Sequence, residues 1–157
     1  MFLYDVFPQR LIKIGLEAED KDEVFEELVD FFCQFKKINA REDILGAVWE
    51  RESKMSTGVQ KGIAIPHGKT SKIEEIHGIL GISKKGIDYD ALDSQPVYLV
   101  FMLIAPKEDS ENHLRLLKRL AELFDNPQFF TELQAQNTAH GASGIIKKYE
   151  DIYIASE

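Results

Sequence analysis

Three side chains in this chain have the types and settings to handle a small anion such as a phosphoryl group: His67, His113 and Arg51. His67 lies in the run Gly62-Ile-Ala-Ile-Pro-His-Gly68, where a short strand meets a proline that cannot extend the ladder. A neutral imidazole is a competent nucleophile near pH 7 and needs no separate base. Pro66 fixes one backbone dihedral and biases Ile65 towards an extended conformation. Gly68 removes a side chain where a partner surface or a phosphate must come close. Taken alone, the same run more readily describes a surface histidine on a turn after a strand.

His113 falls at the third position of a helix if Ser110 is its cap. Unpaired backbone donors and the positive end of the dipole gather there, which makes an anion site and keeps an imidazole neutral. That helix follows an apolar strand, and ligand sites in open α/β sheets favour the carboxyl ends of strands. A polar residue on a solvated helix end would have the same spacing. Arg51 comes three residues after Val48 and seven after Ile44, so it projects from the apolar side of its helix. An inward-leaning guanidinium needs a phosphate or a counter-charge, and a salt bridge or a snorkelling stem would also satisfy it. Ser56-Thr57-Gly58 has hydroxyl and amide donors for a phosphate, and is also ordinary turn composition.

Other chemistries lack their residues. The glycines at 58 and 62 do not make a P-loop, because no Gly-Lys-Ser/Thr follows at the required spacing. Four dispersed histidines and one cysteine give no zinc-ligand spacing, and no Gly-x-Ser-x-Gly elbow is present. His77 and His140 have no supporting neighbours and are expected at the surface.

The elements that must position these residues follow from periodicity. Alternation over Pro8–Leu16 predicts an early strand. Asp20 caps a predicted helix to about Lys37, with Val24, Leu28, Phe31 and Phe35 as its stripe and Phe25 and Phe32 widening it. Asn39 and Glu42 predict the opening of a second helix that buries Ile44, Leu45, Val48 and Trp49 and ends near Lys54. Short strands are predicted at 62–66 and 76–82. Val97–Ala105 is apolar throughout and reads as a central strand buried on both faces, stopped by Pro106. A helix from Ser110 with Leu114, Leu117, Ala121 and Phe124 inward follows, then helices near 127–135 and 138–150. The expected fold is α/β: one domain over residues 1–157, with a mixed sheet of about five strands flanked by helices.

A chain of 157 residues buries roughly 70% of its unfolded surface. Its net charge of −8 argues against nucleic-acid binding, so any phosphate chemistry needs a local cationic pocket. The single cysteine, Cys33, cannot form an intramolecular disulfide, and no signal peptide or membrane-length apolar run is visible. These features predict a cytoplasmic protein without membrane insertion.

The run Arg51-Glu-Ser-Lys-Met-Ser-Thr-Gly-Val-Gln-Lys-Gly-Ile-Ala-Ile-Pro-His-Gly-Lys69 resembles the phosphorylation-site signature of enzyme IIA domains of the bacterial phosphoenolpyruvate-dependent sugar phosphotransferase system. It is similar to the fructose/mannitol class, which includes the nitrogen-regulatory enzyme IIA proteins. Gly86-Ile-Asp-Tyr-Asp90, Gln95-Pro-Val97 and His113-Leu-Arg-Leu-Leu-Lys-Arg-Leu-Ala121 continue the family's order, so the resemblance spans about residues 10 to 150.

The resemblance implies that His67 is the phosphorylated histidine and that His113 supports the phosphoryl group beside it. It implies that Arg51 pairs with phosphate and that Thr57 and Gly58 border the site. Gln60 stands where many members have glycine, which bears on loop stiffness or partner contacts. The implied partners are the carrier HPr as donor and an enzyme IIB as acceptor, with no metal or cofactor. An enzyme IIB of this class would use a cysteine in a loop, whereas Cys33 falls mid-helix. The chain is expected to work with separate enzyme IIB, HPr and membrane proteins rather than with attached domains. The alternative is the nitrogen-regulatory type, whose output is phosphorylation-dependent binding to a regulatory target.

Overall fold

Val97–Ala105, the longest apolar run, forms the strand around which the molecule is organised. The computed structural model describes residues 1–156, the side chain of Gln60 excepted. Its strands are β1 (Ile12–Ile14), β2 (Gly58–Gln60), β3 (Ile63–Ala64), β4 (His67–Lys69), β5 (His77–Ile87) and β6 (Val97–Ala105). The helices are α1 (Leu3–Val6), α2 (Lys21–Lys36), α3 (Arg41–Glu52), α4 (Ser110–Phe124), α5 (Pro127–Gln134) and α6 (Ala139–Ala155), with a 3-10 turn at Gln9–Leu11.

Successive side chains of β6 point to opposite faces of the sheet. Leu99, Phe101, Leu103 and Ala105 enter one core, packed against α1, α4, α5 and α6. Val100, Met102 and Ile104 enter the other, beneath α2 and α3. The strand is thus buried on both faces, as its unbroken apolar character requires. The sheet order is β1-β5-β6-β3-β2, with β4 also on β6, so six strands form where the sequence suggested about five. β5 runs antiparallel to β6, and β2 antiparallel to β3. β1 is parallel to β5, while β3 and β4 are both parallel to β6.

β3 and β4 are one interrupted strand. Ile63 faces Leu99 and His67 faces Leu103, so the register along β6 is unchanged across the break. Pro66 has no amide to give, yet its carbonyl accepts from the Leu103 amide at 3.0 Å. The expected strand end at Pro66 is therefore corrected: the ladder resumes at His67.

Caps set most helix starts. The Asp20 carboxylate accepts from the Glu23 amide at 2.9 Å and opens α2, as its sequence predicts. The buried stripe of α2 is Val24, Phe25, Leu28, Val29 and Phe32, and Phe35 is exposed. α3 begins after Ala40 with no side-chain cap, one residue later than Asn39 would have placed it. At α4 the cap is Asp109, which accepts from the Asn112 amide at 3.3 Å, and Ser110 is the first helical residue. The inward face of α4 is His113, Leu116, Leu120, Leu123 and Phe124; Leu114, expected inside, is 70% exposed. Asn126 with Pro127 at the first turn opens α5, and Thr138 opens α6.

The short α1 is tied down by a distant carboxylate. Glu150 of α6 is buried and accepts from the Leu3 amide at 2.7 Å and the Tyr4 amide at 3.2 Å. Arg119 Nη1 of α4 donates to the same carboxylate at 3.1 Å, which balances its charge. Among the described residues no helix is long and apolar enough to cross a membrane.

Candidate functional site

His67 opens β4 at the outer edge of β6, half-buried. Its Nδ1 lies 2.7 Å from the Ile65 carbonyl oxygen, two residues back. A carbonyl only accepts, so Nδ1 carries the proton and Nε2 keeps the lone pair. Burial lowers the pKa of His67; the Ile65 carbonyl works against that shift, and the Arg51 charge works with it. The ring is thereby held neutral with a defined tautomer.

His113 lies on the buried face of α4, only 3% exposed, with its ring edge-on to that of His67. The centroids are 5.1 Å apart and the planes meet at 80°. Neither ring nitrogen of His113 has a hydrogen-bond partner among the described residues. Buried polar atoms without partners are rare and costly, and this pair belongs to a residue that lines the same cleft as His67. Burial, reinforced by His67 and Lys69, pushes the His113 pKa down to about 4. It is neutral at physiological pH and has one N–H to donate.

Arg51 stands in the last turn of α3, where its Nη1 donates to the Met55 carbonyl at 2.8 Å. It meets a backbone carbonyl at the helix end rather than a carboxylate. α3 comes this close to β4 because of Gly68. A Cβ there would stand 2.8 Å from both the Ala47 carbonyl carbon and the Val48 nitrogen. The close approach that Gly68 permits is thus made by the backbone of α3, and Gly68 itself also lines the cleft beside His67.

His67, Arg51 and His113 line one cleft of about 640 Å³, walled by α3, β4 and the start of α4. Lys54, Lys69 and Lys107 join them there, with Glu50 the one acidic lining residue among the described residues. Lys69 Nζ donates to Ser110 Oγ at 2.8 Å, which ties β4 to α4. An acidic chain thus carries a cationic pocket. The three lysines were not singled out from sequence, although Lys69 directly follows Pro-His-Gly and Lys107 directly follows Pro106 at the end of β6.

Thr57 and Gly58 are not among the lining residues. The Thr57 hydroxyl is buried, donating to Glu52 Oε1 at 2.6 Å and lying 2.7 Å from the Tyr89 hydroxyl. Its carbonyl accepts from the Ile65 amide at 3.0 Å, so Thr57 braces the strand that leads to His67. Gly58 is needed for packing, since a Cβ there would lie 2.7 Å from the Ala91 Cβ. The Gln60 side chain lies outside the described residues. His77 is half-buried beside Phe32, with ring centroids 5.1 Å apart, and so departs from the surface position expected. His140 is within 3.3 Å of Gln9 Oε1, away from the cleft.

Chemically, the cleft offers a neutral nucleophilic nitrogen, a second neutral imidazole beside it and a rim of cations. That set suits a tetrahedral dianion held next to His67. Residues 5–149 match the family model for the phosphoenolpyruvate-dependent sugar phosphotransferase system, EIIA 2. The chain belongs to this enzyme IIA family. It is 33% identical over 150 residues to the fructose-specific EIIABC component of Bacillus subtilis, covering 96% of this chain and 24% of that protein. The chain therefore spans about a quarter of that relative's length. It is 31% identical to a nitrogen regulatory protein of Bradyrhizobium diazoefficiens, covering 93% of this enzyme IIA and 95% of the relative. Among solved structures, nitrogen regulatory protein IIA-Ntr from Neisseria meningitidis superposes with a TM-score of 0.83 at 27% identity. That match covers 90% of this enzyme IIA and 97% of the Neisseria chain.

Proposed function

We propose that this enzyme IIA carries a phosphoryl group on Nε2 of His67, taken from the phosphohistidine of HPr and passed to an enzyme IIB. The observation that carries the reading is the Nδ1 contact to Ile65, which leaves Nε2 as the nucleophilic atom in a cationic cleft. In the transfer, the Nε2 lone pair attacks phosphorus in line. The P–N bond to HPr breaks, its electron pair returns to the HPr imidazole, and the P–Nε2 bond forms. With Nδ1 still protonated, the phosphorylated ring is cationic, and the Ile65 carbonyl stabilises that charge. Arg51, the His113 N–H and the lysines serve the equatorial oxygens, so catalysis is positioning and charge neutralisation. The onward transfer reverses these roles towards an enzyme IIB; the fructose-specific relative carries A, B and C components in its name. On this reading the protein works in the cytoplasm and requires no metal or cofactor.

The test is incubation with phosphoenolpyruvate, enzyme I and HPr. The expected result is an acid-labile, base-stable phosphorylated protein, with His67→Ala unlabelled. Labelling of His67→Ala at the wild-type rate would falsify the assignment.

A second reading is favoured by the near full-length matches to nitrogen regulatory proteins. Here His67 is phosphorylated in the same way, but the output is binding to a regulatory target in one phosphorylation state only. Transfer from phosphorylated protein to a fructose- or mannitol-class enzyme IIB separates the two: rapid loss of label supports relay, and retention supports regulation.

A further inference from the structure

Glu52, one residue beyond Arg51, is an acidic side chain only 5% exposed. Every group around its carboxylate is a donor. The Thr57 amide donates to Oε2 at 2.9 Å and the Thr57 hydroxyl to Oε1 at 2.6 Å. The Tyr89 hydroxyl reaches Oε1 at 3.3 Å, and Lys21 Nζ lies 3.0 Å from Oε2. Because the Thr57 hydrogen is used on Glu52, the single Tyr89 hydrogen is shared between Thr57 Oγ1 at 2.7 Å and Glu52 Oε1 at 3.3 Å. Lys21 also sits over the Tyr89 ring, 4.8 Å from its centroid. An ionised carboxylate is the acceptor-only group that suits such a ring of donors, and Lys21 supplies the charge that its burial demands.

What this hub holds is the backbone of Thr57, and Thr57 leads to the nucleophile in two steps. Its carbonyl accepts from the Ile65 amide at 3.0 Å, and the Ile65 carbonyl accepts from His67 Nδ1 at 2.7 Å. The turn between Glu52 and Thr57 also contains the Met55 carbonyl that accepts from Arg51. The buried carboxylate is thus linked through Thr57 to the residue whose carbonyl meets His67 Nδ1, and it closes the turn that holds the acceptor of Arg51.

We propose that Glu52 is a positioning residue that sets the His67 tautomer, and with it the reactive nitrogen, through Thr57 and Ile65. The proposal rests on His67 being the phosphoryl acceptor, and it adds a cause for which nitrogen reacts. Substitution of Glu52 by glutamine keeps size and shape but replaces one acceptor oxygen by an NH2 group, which then faces donors. The Thr57 segment must shift, the Ile65 carbonyl loses its fixed place, and the Nε2–H tautomer becomes accessible.

The test uses ¹⁵N-labelled protein and long-range ¹H–¹⁵N correlation of the histidine rings above pH 7, with no phosphoryl donor present. Wild type is expected to show His67 in the Nδ1–H form alone. Glu52→Gln is expected to show a resolved Nε2–H fraction and, in a separate assay, at least tenfold slower uptake from phospho-HPr. A folded Glu52→Gln protein with a pure Nδ1–H tautomer and wild-type uptake overturns the proposal, because a merely structural role would lower Tm alone. If Glu52→Gln does not fold, Thr57→Val takes its place, since it removes only the hydroxyl from the hub. The same tautomer shift then supports the proposal, and an unchanged tautomer overturns it. Since the tautomer is read without a donor, failure here is distinct from failure of the phosphocarrier reading itself.

Discussion

Gly68 lies so close to Ala47 that a Cβ on the glycine would stand 2.8 Å from the Ala47 carbonyl carbon. Backbone therefore meets backbone where α3 crosses β4, and neither side has a flexible atom to yield. Gly68→Ala is expected to cost about 1–3 kcal/mol of stability, as overpacking of a tight contact does. In a domain of this size that lowers Tm by roughly 3–10 °C. The displaced α3 would also carry Arg51 away from His67. Thermal denaturation and phosphoryl uptake, measured on one preparation, are expected to fall together.

The rate of uptake should be insensitive to pH over a wider range than an ordinary histidine allows. Burial holds the His67 pKa below its usual value, so the neutral nucleophile persists as the solution becomes acidic. Initial rates at saturating phospho-HPr are expected to stay flat from pH 8 to below about 6.5, the ordinary imidazole pKa. A rate already halved at pH 7 would show that the ring is not held neutral.

Stability should fall with acid for a related reason. Burial pushes His113 down to about 4 in the folded protein, while the unfolded chain titrates near the ordinary value. Between about pH 6.5 and 4 the unfolded state binds the extra proton, so stability is lost as pH falls through that window and levels off below it. The loss from this one residue is up to about 3 kcal/mol. His113→Asn removes that share, and His67 and His77, shifted in the same direction, leave a residual slope. Urea unfolding of both proteins at pH 7 and pH 4.5 measures the difference.

Arg51→Lys keeps a cation in the cleft but loses the planar fork that can hold the Met55 carbonyl and a phosphoryl oxygen at once. Uptake is expected to drop roughly tenfold or more, in line with the loss of a charge-assisted contact worth about 1.5–3 kcal/mol. Tm should change little. Single-turnover transfer from phospho-HPr gives the number.

Glu150→Gln provides a contrast far from the cleft. It weakens the seat of α1 and leaves Arg119 without its counter-charge. Because Arg119 keeps partial access to water, a loss of roughly 2–4 kcal/mol is expected. Phosphoryl uptake by the folded fraction should match wild type, as measured by uptake normalised to native protein at 20 °C or below.

Periodicity and caps carried the fold far. β6 was legible because nine apolar residues bounded by proline have few alternatives to a strand buried on both faces. α2 was legible because Asp20 and the apolar stripe agree. α4 was misread in phase: Ser110 and Asp109 are both good caps, and the choice between them rests on tertiary context. His113 then occupies an inward position that periodicity assigned to leucines. The interrupted strand at Pro66 was hidden because its register depends on β6, some 36 residues later in the chain.

At the site, the spacing of Arg51 on its helix pointed inward, yet the buried side of α3 is Ile44, Val48 and Glu52, and Arg51 lies half-buried on the wall of the cleft. The lysines escaped notice because a scattered charge looks solvated until the fold gathers it. Thr57 shows the opposite failure. A hydroxyl in loop-like composition suggests a ligand contact, yet Glu52 and Tyr89 claim it inside the protein. Only the contact between distant segments reveals that.

The cleft draws its walls from both sides of the sheet. Arg51 comes from the layer packed with Val100 and Met102, while His113 comes from the layer packed with Phe101 and Leu103. A chain with only one layer consolidated would present half a binding surface. If the cleft takes a phosphoryl group as proposed, that competence doubles as a check on completed folding: nascent or damaged copies would draw nothing from the donor pool.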